Sequence, residues 1–262
     1  MNYFVFDIET IPDVESGRRL YGLHELDDDE VAQAMQLQRR EENGSDFLRL
    51  SLQKIVCISV LLRQNDQLKV WSLGEPGDSE ASIVQRFFAG LQRFTPTLIS
   101  WNGSGFDLPV LSYRALLHGV DAAVFWDQGE DNKDFRYNNY ISRYHQRHTD
   151  LMDLLSLYQS RAAVPLEHMA TLLGFPGKLG MSGQEVWPAW QRGDIDAIRA
   201  YCETDVMNTW LVFLRFQQLR GHFDATRVQH EEAMLKMHLA QSAHPTWQAF
   251  LTAWNASSAG SI

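Results

Sequence analysis

The run NYFVFDI, residues 2 to 8, constrains the fold of this chain more than any other stretch. Its apolar residues occupy both alternating sets of a strand, so both faces must be covered, as in the central strand of a layered α/β domain. A chain of 262 residues, 45% of them hydrophobic, has the material for one large core of that kind. Two acids, Asp7 and Glu9, close the run. Strand side chains alternate, so these carboxyl groups share one side while Ile8 points into the other layer.

Further strands are expected at KIVCISVLLR (54 to 63) and LKVWSL (68 to 73), joined by the hairpin-length turn QNDQ into an antiparallel meander with the first run. SEASIVQRFFAGLQRF has helical spacing at Ile83, Phe87, Leu91 and Phe94 and stops before Pro96. TLISW then reads as a fourth strand, parallel to the first. FDLPVLSYRALLHGV is a helix with Pro109 in its first turn, where a missing N–H costs nothing. AAVFWD is expected to be short and extended, and residues 129 to 149 to form a polar, aromatic loop. Helices are expected at 165 to 175, at 194 to 219, at 226 to 240 and at 245 to 254, with NASSAGSI fraying at the end.

Between Pro12 and about Leu50 the composition turns charged and Gln-rich, with a helix opening at the acids of Asp27 to Asp29. This segment reads as an insertion at about 13 to 50. The element order gives an α/β domain with a mixed sheet, whose ligands are expected at the carboxyl ends of the parallel strands.

The formal charge of −10 excludes a protein that coats nucleic acid by bulk electrostatics, a mode that needs basic stripes. Divalent cations between carboxylates and a phosphodiester permit binding all the same. No apolar stretch approaches a membrane span and no export signal is visible, so a soluble, cytoplasmic protein with no membrane partner is expected. The two cysteines, Cys57 and Cys202, offer neither a disulfide framework nor a CxxC metal site and are expected to be reduced and structural.

Three acidic groups stand out. Asp7 and Glu9 suit a hard cation, because two neighbouring like charges repel unless compensated; alone they also fit a solvated strand end. Asp107, in SWNGSGFDLPVL, begins a helix just after the fourth strand, where an Asp also serves as a simple cap. In YCETDV, Tyr201 and Asp205 are spaced i, i+4 on one helical face, and Glu203 points elsewhere, toward solvent. Four acids from separate segments can supply oxygen ligands for two Mg2+ or Mn2+ ions, the arrangement used for in-line attack on phosphodiesters.

In this order and at these separations, FDIET, NGSGFD and YCETD resemble the three motifs of the DEDD 3′-5′ exonucleases. The tyrosine four residues before the last aspartate marks the DEDDy branch. The stretches VFDIETIPD, LISWNGSGFDLPVL, HTDLMDLL and YCETDVMNTWLVFLR are similar to the stand-alone family related to the exonuclease domain of family B DNA polymerases, over roughly residues 1 to 220. The resemblance implies a ribonuclease H-like sheet flanked by helices, with residues 221 to 262 as a C-terminal helical extension. It implies Asp7, Glu9, Asp107 and Asp205 as metal ligands and Tyr201 as the group orienting the attacking water. Thr10, Asn102 and Phe106 occupy neighbouring positions that in such enzymes help hold the terminal nucleotide. The implied partners are nucleic-acid 3′ ends, DNA or RNA, and the product a 5′-mononucleotide.

Two other classes fit parts of the pattern: a non-catalytic module that binds nucleic-acid ends, and a metal-dependent hydrolase of small phosphate esters. His148 and Asp150 read first as a cap at a strand-to-helix junction and second as assistants to the site. GFPGKLG lacks the phosphate-loop pattern GxxxxGK[ST] and reads as a connecting loop in which Lys178 could touch a phosphate.

Overall fold

The computed structural model describes residues 2–259. The elements run β1 (Asn2–Pro12), α1 (Val14–Tyr21), α2 (Asp28–Asn43), β2 (Gln53–Gln64), β3 (Gln67–Ser72), α3 (Glu80–Phe94), β4 (Thr97–Ser100), α4 (Asp107–His118), α5 (Ala123–Trp126) and β5 (His148–Asp150), then α6 (Leu151–Leu155), α7 (Leu166–Leu172), α8 (Val186–Gln191), α9 (Ile195–Leu219), α10 (Ala225–Ala240) and α11 (Pro245–Ala259). The sheet order is β3-β2-β1-β4-β5, with β1 to β3 an antiparallel meander and β4 and β5 parallel to β1. Among the described residues no helix is long and apolar enough to cross a membrane.

The continuous hydrophobicity of β1 is explained by its central place. Tyr3 and Val5 pack with Met207, Trp210 and Phe213 of α9 and with buried residues of α10 and α11. Phe4, Phe6 and Ile8 face the other way, onto Phe87 and Phe88 of α3 and Leu108 and Leu111 of α4. The side of β1 that carries Asp7 and Glu9 is therefore the α9 side.

β1 is longer than its apolar run. It stays paired with β2 as far as Pro12 opposite Gln53, with a register shift between Glu9 and Thr10, so the two acids lie within the strand and not at its tip. Parallel pairing with β4 ends earlier, at Val5 opposite Ile99. Asp7 and Glu9 thus stand just past the parallel ladder, at a carboxyl-end opening on the β4 side.

A buried ionic network fixes α4 behind this opening. Arg114 donates to Asp13 Oδ2 at 2.5 Å and to Glu80 Oε1 at 2.7 Å and Oε2 at 2.5 Å, while Ile55 N donates to Glu80 Oε1 at 2.6 Å. One guanidinium so joins the end of β1, β2, α3 and the helix that begins at Asp107.

Three sequence expectations are corrected. AAVFWD forms the helical turn α5, not an extended segment, because Phe125 buries against Phe88 and Tyr140. Residues 255 to 259 continue α11, and residues 260 to 262, on which the expected fraying also falls, lie outside the described residues. The loop of 129 to 149 contains a 3-10 turn at Lys133–Arg136 and ends in β5. Glu203 is buried, not solvated: its carboxylate accepts from Ser72 Oγ at 2.7 Å and Trp247 Nε1 at 2.8 Å, tying α9 to β3 and α11. The helices α1 and α8 were not expected. In the 13 to 50 segment, α2 has a capping box between Asp27 and Glu30, as its acidic start foretold.

Candidate active site

The antiparallel run of α9 against β1 brings its acids to the strand's acids. Trp210 packs on Tyr3, Cys202 reaches Asp7, and Ile198 joins Ile11 in one apolar cluster. Four strand residues span about 13 Å and eight helical residues about 12 Å, so the two elements keep step. Tyr201 and Asp205, either side of Cys202, therefore border Asp7 and Glu9.

The third segment arrives through the turn between β4 and α4. Asn102 is held in the left-handed region at φ 64°, and a Cβ on Gly105 would meet Asn102 Oδ1 at 2.5 Å. Asp150 pins this turn by accepting from Asn102 N at 3.0 Å and Ser104 N at 2.8 Å, and it also caps α6 through Asp153 N at 3.3 Å. The turn delivers buried Asp107 to β1, where its Oδ1 accepts from Ile8 N at 3.2 Å.

Electrostatics define the cluster. Burial, then the charges of Asp107 and Asp205, push the Asp7 carboxyl well above the usual carboxylate range. Glu9 is raised likewise by burial and then by Asp7 and Asp205. Burial also pushes Asp107 and Asp205 up to about 7, in the second case against a hydrogen bond from Tyr201 and the field of Lys178. Burial and the neighbouring carboxylates hold the Tyr201 phenol well above its ordinary value. Acids raised in this way by burial and by neighbouring carboxylates lack sufficient positive charge from the chain itself. All are hard oxygen donors, the chemistry that Mg2+ and Mn2+ prefer.

Ligand-capable atoms of Asp7, Glu9 and Cys202 lie within 4.8 Å of one another. Cys202 Sγ donates to Asp7 O at 3.4 Å and to Asp7 Oδ2 at 3.5 Å. Its contact with an acid was not foreseen; its place between Tyr201 and Glu203 on α9 was the available signal. His148 is kept neutral, its pKa lowered to about 4 by burial, and its Nε2 shares a hydrogen bond of 2.8 Å with Ser100 Oγ. Both His148 and Asp150 thus support the turn beside the acids.

A concavity of about 860 Å3 opens next to the cluster, lined by Glu9, Thr10, Phe106 and Lys178. Thr10 Oγ1 donates to Gln53 Oε1 at 2.9 Å. The 177 to 183 stretch is a connector, as expected, and Asn208 clasps Gly177 through bonds of 2.8 and 3.2 Å, fixing the residue next to Lys178. The far wall comes from the 13 to 50 segment: exposed Phe47 packs on Phe106 with ring centroids 5.8 Å apart. No residue of that segment was singled out for the site from sequence, because surface aromatics in a charged stretch give no periodic signal.

A mixed five-stranded sheet in this order, flanked by helices, with carboxylates converging from β1, the β4–α4 turn and α9, is a ribonuclease H-like nuclease fold. The chain belongs to the family described as "Predicted 3'-5' exonuclease related to the exonuclease domain of PolB", whose model matches residues 45–254. The matched stretch contains Asp107, Tyr201 and Asp205 and begins after Asp7 and Glu9. No curated protein matches the chain.

Proposed function

We propose that this chain hydrolyses the terminal phosphodiester at nucleic-acid 3′ ends, single-stranded DNA favoured over RNA, and releases 5′-mononucleotides by DEDDy chemistry. One observation carries the reading: four carboxyl groups from three distant segments meet in a largely buried cluster, in which burial raises every member and the charges of Asp107 and Asp205 raise Asp7 and Glu9 further. Asp7, Glu9, Asp107 and Asp205 are the residues that would hold two divalent cations, Mg2+ or Mn2+. Bound there, the cations would supply charge neutralisation toward phosphate and acidify a water.

The remaining roles belong to the chain. Tyr201, one helical turn from Asp205, keeps its proton at neutral pH and orients the attacking water as a hydrogen-bonding group, not as a base. Phe106 offers a ring face to the terminal base, and Thr10 and Asn102 flank it. Lys178 contributes a positive charge to the concavity that would take the terminal nucleotide. A cytoplasmic location belongs to the same proposal, supported by two free thiols of the kind a reducing compartment maintains.

The test uses 5′-labelled DNA and RNA oligonucleotides, single and double stranded, with Mg2+, Mn2+ or chelator. Wild-type protein should shorten them stepwise from the 3′ end in the presence of cation, and Asp205→Ala should lose at least about a thousandfold in rate. Equal shortening by Asp205→Ala would disprove the assignment.

A further inference from the structure

The segment KDFRYNNYISRYHQRH, residues 133 to 148, inverts the charge balance of the chain: four cations, Lys133, Arg136, Arg143 and Arg147, stand against one carboxylate, Asp134, in a protein of net charge −10. It lines a second concavity of about 610 Å3, on the β5 side of the acid cluster. Here the guanidinium of Arg143 lies 5.0 Å from the ring centroid of Tyr144 and 5.5 Å from that of Tyr158. Arg143 Nη2 donates to Tyr144 Oη at 2.8 Å, and Tyr158 Oη donates to Arg143 O at 3.1 Å. Leu157 and Tyr158 take successive left-handed backbone conformations at φ 52° and 58°, a strained pair that sets Tyr158 against the arginine.

Neither Arg143 nor Arg220, which also lines the hollow, has a carboxylate within ion-pair distance among the described residues. Of the two carboxylates in the wall, Asp150 is already engaged by three backbone amides, and Asp153 lies beyond ion-pair distance of both arginines. Tyr144 leaves 80% of its surface in solvent. An acidic protein that holds two uncompensated arginines and exposed tyrosine rings in one hollow has built a surface for an anionic chain with flat faces. A single-stranded nucleic acid matches both properties, whereas an acidic peptide matches only the charge.

The turn between β4 and α4 relates the hollow to the site: Ser104 of that turn lines the hollow, and Asp107 opens α4 three residues further on. We propose that this Arg143–Tyr144–Tyr158 groove binds the upstream part of the single strand whose 3′ end enters the acid cluster, by stacking bases on the tyrosines and pairing phosphates with Arg143 and Arg220. The proposal rests on the exonuclease reading for the direction of the strand.

Anisotropy of labelled oligothymidylate and oligouridylate of about twelve nucleotides, measured with Ca2+ to hold off turnover, tests the groove directly. Tyr144→Ala and Arg143→Ala should each weaken binding about tenfold, Tyr144→Phe should keep it, and Arg86→Ala, an exposed arginine elsewhere, should bind as wild type does. In Mn2+, the kcat/KM for the long strand relative to a dinucleotide should fall about tenfold in the two alanine variants. Absent binding by wild type, equal binding by the alanine variants, or equal competition by polyglutamate overturns the groove. Binding that depends on Tyr144, with no cleavage of any strand, would retain the groove and overturn the exonuclease reading, so the two failures are separate.

Discussion

Replacing Asp107 by Asn should stabilise the metal-free protein at alkaline pH. The amide is nearly isosteric and its Oδ1 can keep the hydrogen bond from Ile8 N, 3.2 Å long in the native chain. What changes is charge: burial pushes this carboxyl from an ordinary value of 3.8 up to about 7. A carboxyl raised in the folded state contributes stability in full only below its unfolded pKa, and that contribution is lost as pH rises through the folded pKa. At pH 8 the ionised group should cost about 4 kcal/mol relative to a neutral one, and at pH 5 less than about 2 kcal/mol. The charge also favours the start of α4 by up to about 1 kcal/mol, leaving a net gain from Asp107→Asn of about 3 kcal/mol at pH 8. For a chain of this length that is a rise in Tm of about 6 °C, and about 2 °C or less at pH 5. Calorimetry in chelator at the two pH values measures it. Adding Mg2+ or Mn2+ should then raise the wild-type Tm more than the variant's, since cations compensate the same buried charge. A fall in Tm for metal-free Asp107→Asn at pH 8, or the same change at both pH values, would refute the reasoning.

Tyr201→Phe should slow Mn2+-dependent cleavage about ten- to a hundredfold without removing it, as single-turnover rates would show, because a positioning hydroxyl is lost and no carboxylate is. Glu203→Ala leaves the buried Trp247 indole N–H without its acceptor and should cost about 2 to 3 kcal/mol in denaturant unfolding. Arg114→Ala strands Asp13 and Glu80 inside the protein and should cost about 3 to 5 kcal/mol at pH 7. Burial pushes the Asp13 carboxyl up, but hydrogen bonds from Arg114 and Ser16 more than offset it and hold it below 3.8. Its contribution is therefore present above the unfolded value and lost as pH falls through the lowered one, so the acid side of the wild-type stability profile should flatten in Arg114→Ala.

Much of the frame was legible in the chain because it is written in local patterns. The apolar run at 2 to 8 named the central strand, QNDQ named a hairpin, and Ile83, Phe87, Leu91 and Phe94 named a helix facing the sheet. Residue spacing alone put Asp7 beside Glu9 and Tyr201 beside Asp205. Glu203 could not be read correctly, since its burial depends on Trp247 of a helix more than forty residues away. The α5 turn was misread for a similar reason, as Phe125 takes its conformation from partners on other elements.

What the sequence by itself determined is the inventory and its local geometry: which acids exist, which pairs share a face, and which family the motifs resemble. Only the tertiary structure decided that α9 runs antiparallel to β1 with matching rise, that parallel pairing with β4 stops before Asp7, and that Asp150 and Arg114 hold the third acid in place. Repulsion among Asp7, Glu9, Asp107 and Asp205 arises from that assembly. Spacing along a strand or helix is set by bond geometry over a few residues, whereas burial and charge density depend on which distant surfaces meet.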